Sequence, residues 1–217
     1  GMKVGFGSIP PEVLVTFPSA YQLLPHPLNQ WLYTSEGNPL DRDLFDMEVW
    51  QRFGFSIFDP ETELRIRAQY ASSAEADAAV DIVQRYFYRQ IERGRRFVWS
   101  LTVPAEELQT QYILFGGDCH LTPNRLVVEE VGATSVVHLE PADIVDPVAG
   151  IDYERLMLEP GDGTVTKASL LARQDTDPTI GRHPYSYFPL KYSIFLCENH
   201  TKLTGNISFQ DNLMHVL

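Results

Sequence analysis

The 217-residue chain has only two cysteines, Cys119 and Cys197. Two cysteines make neither a disulfide framework nor a four-cysteine zinc site. They read as reduced, buried thiols, with a single disulfide left open as the alternative. Long apolar runs are missing too: no stretch reaches the ~18 consecutive apolar residues of a membrane span. The first residues, GMKVGFGSIPPEV, lack the charged start and apolar run of a signal peptide, so a cytoplasmic location is expected. Cations are scarce. Lys and Arg total 17 against 29 Asp and Glu, a formal net charge of −12. An acidic surface repels phosphate backbones, so no nucleic-acid partner is expected. It also argues against a permanent electrostatic hold on anionic membranes. Internal repeats and low-complexity tracts are absent.

What remains is ordinary for a globular protein, with 44% apolar residues at a length that supports a sizeable core. Residues 8–27 are punctuated by Pro10, Pro11, Pro18, Pro25 and Pro27, with a short helix expected at AYQLL. The segment LFDMEVWQRFGF reads as a short helix stopped near Gly54. Ser72 and Glu75 form a capping box, and helical apolar spacing follows through Ala79, Ile82, Val83, Tyr86, Phe87, Ile91 and Val98. Pro104 is expected to stop that helix. After residue 110, QYILFGG, RLVVEEV, TSVVHLE and KYSIFLC read as strands, with TKASLLAR and NISFQDNLMHVL as helices. The tail therefore runs strand, acidic turn, helix, strand, histidine, helix. That alternation predicts an α/β class.

Asp162 sits in a Gly-Asp-Gly turn, and His200 follows the last apolar strand. Alone, each is weak: such a turn is ordinary, and a histidine after a strand is more often a surface or capping residue. Together they carry chemistry. One helix and one strand between them would return both to the carboxyl ends of neighbouring parallel strands, where α/β folds place ligands. There a neutral imidazole takes a proton from a hydroxyl and later returns it, while a buried carboxylate fixes its tautomer. In α/β-hydrolases the chain order is nucleophile, acid, histidine. The other histidines are given no role. His26 and His183 precede prolines, His138 lies on a strand and His215 on the last helix. His120 lacks a second cluster at ligand spacing, so no metal is expected. The sequons at Asn199 and Asn206 are read as chance matches, because a glycan on Asn199 would crowd His200.

Three segments, TFPSAYQLLP (16–25), GDGTVTKASLL (161–171) and ENHTKLTGN (198–206), together resemble the lecithin:cholesterol acyltransferase family, with its related phospholipases and phospholipid:diacylglycerol acyltransferases. The likeness extends to LYTSEGNPLD…VW and ILFGGDCHLTP. It implies an α/β-hydrolase with a helical cap, cleaving acyl esters of lipids through an acyl-enzyme and passing the acyl group to water or an alcohol. Asp162 matches the family's acid and His200 its base. Residues 1–110 would form the cap or lid segment and 111–217 the C-terminal part of the hydrolase core. Tyr86, Phe87 and Trp99 would be positioned to meet an acyl chain, although core packing is the favoured reading for at least half of such aromatics. No cofactor is implied.

The departure from the family is the nucleophile. No G-x-S-x-G elbow exists in the chain, and Ser8, Ser19, Ser35, Ser72, Ser73, Ser169 and Ser186 all lack that context. Three readings follow, in order of preference. The first is the acid–base half of a lipase-like hydrolase or O-acyltransferase whose serine lies outside these residues, inactive alone. The second is a non-catalytic half-protein that binds lipid or a partner polypeptide. The third is an enzyme using Cys119 as nucleophile. A sheet without its central strands leaves open edges, so an oligomer or a partner chain is expected.

Overall fold

The computed structural model describes residues 2–4, 7–101, 110–131, 134–171 and 190–216. The chain divides into two compact units. One comprises residues 1–30 and 41–100, the other 31–40 and 101–217. The sequence reading places a boundary at residue 110; the compact units divide at 100/101, with residues 31–40 packed in the second unit. The cause is strand pairing, since Leu32–Thr34 runs parallel to Leu126–Val128.

The first unit is mainly helical. Strand β1 (Met2–Val4) pairs antiparallel with β2 (Gly7–Ile9). Prolines open α1 (Pro11–Leu14) and α2 (Pro18–Gln22), where the missing N–H costs nothing. Asp46 caps α3 (Met47–Arg52), and Asp59 caps α4 (Pro60–Arg67) by accepting from the Thr62 amide at 3.0 Å. The last helix, α5, spans Ser73–Ser100, and the Ser72 hydroxyl accepts from the Glu75 amide at 3.2 Å, one half of the expected box. Pro104 lies outside the described residues.

The buried stripe of α5 packs Phe87, Ile91 and Val98 against Val15, Tyr21, Phe45 and Ile57. Phe87 sits at the centre, edge-on to Tyr21, Trp50 and Phe58 with ring centroids 4.9–5.6 Å away. Gly94 has a positive reason to be in this helix. A Cβ there would lie 2.7 Å from the Tyr21 carbonyl oxygen, so its absence lets α2 cross close to α5.

Among the described residues, the second unit mixes helices with three small sheets. Strand β3 (Leu32–Thr34) pairs parallel with β6 (Leu126–Val131), which pairs antiparallel with β7 (Thr134–His138). Strand β4 (Tyr112–Gly117) pairs parallel with β9 (Leu190–Leu196). Strand β5 (His120–Pro123) pairs antiparallel with β8 (Leu158–Gly161). Helices α6 (Tyr153–Met157), α7 (Lys167–Leu170) and α8 (Ile207–Val216) belong to the same unit. Val127, Tyr153 and Met157 are its buried centre. The Arg125 guanidinium pairs with Glu159 at 2.7 Å in the interior. Helices and small sheets thus support an α/β class. The neighbouring parallel strands expected for acid and base are not found among the described residues: β8, which leads to Asp162, pairs with β5, and β9, which leads to His200, pairs with β4.

Candidate active site

Asp162 and His200 nevertheless meet. His200 Nδ1 lies 2.9 Å from Asp162 Oδ2, and the His200 backbone amide donates to the Asp162 carbonyl at 3.0 Å. The acid is held by its own turn. Its Oδ1 accepts from the Thr164 and Val165 amides at 3.0 and 2.8 Å, and Gly163 takes a φ of +87° to close the loop. The Gly163 amide donates to the hydroxyl of fully buried Thr122 on β5, at 2.9 Å. Strand β5 therefore anchors the acid turn from beneath.

The end of β4 presses on the same place. A Cβ on Gly117 would fall 2.6 Å from the Asp162 Cβ and would also strike the Glu198 carbonyl, so only glycine fits. Glu198 in turn holds the histidine loop, accepting from the Asn199 amide at 3.0 Å and from the Asn206 side-chain amide at 3.1 Å. A disulfide joins Cys119, just beyond β4, to Cys197, just beyond β9, with Cα atoms 5.0 Å apart. This overturns the reading of two reduced, buried thiols: the cysteines are bonded and lie on exposed residues. It also removes Cys119 as a nucleophile, since a sulfur in a disulfide is not a thiolate.

Electrostatics separate the two partners. The Asp162 side chain is 5% exposed and that of His200 49%. Burial pushes the Asp162 pKa up. The Val165 amide, the His200 ring and the Thr164 amide together outweigh it and hold the carboxyl below its ordinary value. An ionised carboxylate only accepts hydrogen bonds, so Nδ1 is the donor to Asp162 and Nε2 is the ring nitrogen left for a substrate, on a half-open side chain. No hydroxyl or thiol among the described residues is hydrogen-bonded to His200.

A second carboxylate–histidine pair shows what this one is not. His138 Nε2 and Glu129 Oε2 are 2.7 Å apart, but both side chains are buried, and Glu129 also accepts from the Val145 and Asp146 amides. That pair ties β6 and β7 to the loop after them and presents nothing to a substrate. Among the described residues no group of three His, Cys, Asp or Glu is placed to hold a metal ion. Nor is any helix there long and apolar enough to cross a membrane.

The three aromatics belong to the first unit and differ in surroundings. Phe87, at 1% exposure, is a core residue ringed by Tyr21, Trp50 and Phe58. The Tyr86 hydroxyl donates to the Thr16 carbonyl at 3.2 Å. Trp99 is 43% exposed with its ring edge-on to His26, centroids 4.6 Å apart. His183 and Ser186 lie outside the described residues. Thr122, Gly117 and Glu198 escaped the sequence reading. Gly117 alone left a signal there, as the second of two glycines closing a strand.

No protein-family model, no curated protein and no solved structure matches this chain.

Proposed function

We propose that this chain is the acid–base half of a lipase-like acyl-ester hydrolase or O-acyltransferase of the lecithin:cholesterol acyltransferase type, working with a serine supplied from outside these residues. One observation carries the reading: a buried, ionised Asp162 gripping Nδ1 of a half-exposed His200. In that role His200 Nε2 takes the serine proton as the acyl-enzyme forms and returns it to the leaving alcohol. Asp162 fixes the tautomer and stabilises the imidazolium. Water or an alcohol then accepts the acyl group by the same route. The disulfide favours an oxidising compartment over the cytoplasm expected above.

A second reading, a non-catalytic half-protein, draws support from β4 and β9. Parallel strands are ordinarily buried on both faces. Here Tyr112 to Phe115 and Ile194 to Leu196 are only half-buried in a two-stranded sheet. Such a sheet suits the addition of further strands from a partner polypeptide, with or without catalysis.

The coding sequence preceding this chain decides between them. An in-phase G-x-S-x-G run, and fluorophosphonate labelling of that serine in the extended protein that is lost on His200→Ala, is the expected result. The chain as it stands should not turn over a chromogenic ester. Turnover by it that vanishes with His200→Ala would place a nucleophile inside these residues. An extended protein inert to the probe would favour the non-catalytic reading.

A further inference from the structure

The second half of α5 carries charge that its packing does not use. Between residues 85 and 96 stand Arg85, Arg89, Arg93, Arg95 and Arg96, with Glu92 the only acid, on a chain of net charge −12. Arg85 pairs with Asp81 at 2.8 Å and Arg95 with Asp43 at 3.4 Å. Arg89, Arg93 and Arg96 are exposed and make no ion pair with any described residue. Their spacing of four and then three residues sets them in one row along the outer face, opposite Phe87, Ile91 and Val98. Like charges at that spacing destabilise a helix. Complementing the helix dipole does not account for them, because the last turn holds no basic residue.

The row has aromatic margins. By helical position Tyr88 and Trp99, 53% and 43% exposed, lie along one side of it, and Phe97, 40% exposed, along the other. Guanidinium groups bind the phosphates and carboxylates of lipid headgroups, and exposed rings settle at the level of the headgroups. We infer that the outer face of α5 from Tyr88 to Trp99 is a docking surface for an anionic lipid bilayer. The acidity of the rest of the chain does not forbid this. At physiological salt, repulsion from charges farther than about 8 Å is largely screened, whereas the row itself makes contact. The inference needs no catalytic role for Asp162 or His200, and its readout is binding alone.

The test is sedimentation with phosphatidylcholine vesicles, with and without phosphatidylserine. The chain is expected to sediment only with the mixed vesicles, and less as salt rises. Changing Arg89, Arg93 and Arg96 together to Gln should weaken partitioning about 100-fold, taking roughly a factor of five per arginine at the membrane surface. The same positions changed to Lys should retain binding. All three are exposed, so circular dichroism should match the parent. Tyr88→Ser with Phe97→Ser should weaken vesicle binding and leave binding to soluble heparin unchanged. Equal sedimentation with both vesicle types, or no effect of the Gln changes, would overturn the inference. So would aromatic changes without effect on vesicle binding, which would mark a general polyanion face. A homo-oligomer that dissociates on the Gln changes without vesicles would assign the face to a second copy instead.

Discussion

At Asp162, burial and ligation pull in opposite directions, and ligation prevails. Its folded-state pKa lies below the unfolded value of about 4. Its contribution is therefore fully present above that value and is lost as pH falls through the folded one. Asp162→Asn should cost about 1–3 kcal/mol at neutral pH, because two turn amides and the His200 ring lose their anionic acceptor. Denaturant titrations over a pH series should show the parent losing more stability below about pH 4 than the variant. Parallel acid limbs would mean that another group titrates there. This residue was legible in the sequence because its turn is local: Gly, Asp and Gly in succession prescribe the geometry that holds the carboxylate. Phe87 was not, since helical periodicity marks an inward face without saying whether core or ligand lies beneath it.

Among elements, the close approaches carry the specificity. Gly94→Ala offers a test with opposing expectations. Helix propensity alone predicts a gain of about 1 kcal/mol, but the new Cβ would meet the Tyr21 backbone and Phe45. Overpacking should win, with a net loss of about 1–3 kcal/mol by chemical denaturation. A gain would show that α2 is free to back away. The disulfide closes a sequence separation of 78 residues between the ends of β4 and β9. Replacing Cys119 and Cys197 by Ser should cost about 2–4 kcal/mol, measured against the oxidised parent. No change on reduction of the parent would argue against the bond in solution. The capping of α5 and the strands β4, β6, β7 and β9 were readable because their signals are contiguous. The pairing of β8 with β5, the transfer of residues 31–40 to the second unit and the Cys119–Cys197 bond were not. Each joins segments far apart in sequence, and neither alternation nor spacing specifies a distant partner. Helix α4 was readable in principle, since Asp59, Pro60 and Glu61 make an N-terminal signature.

On the scale of the whole molecule, β4 and β9 leave apolar side chains half-covered on a parallel pair that no other described strand extends. The isolated chain should therefore self-associate or bind an apolar dye, by light scattering and fluorescence. A monodisperse monomer without dye binding would mean that the exposed strands are tolerated as they are. Association does not depend on what the dyad does, and the dyad can be tested without it. The most direct measurement is the ¹⁵N spectrum of the His200 imidazole in its neutral form. A ring held by an ionised carboxylate carries its proton on Nδ1 and leaves Nε2 bare, and Asp162→Asn should shift that balance toward the other tautomer. A parent ring protonated on Nε2, unchanged by Asp162→Asn, would contradict the pairing on which the proposed chemistry rests.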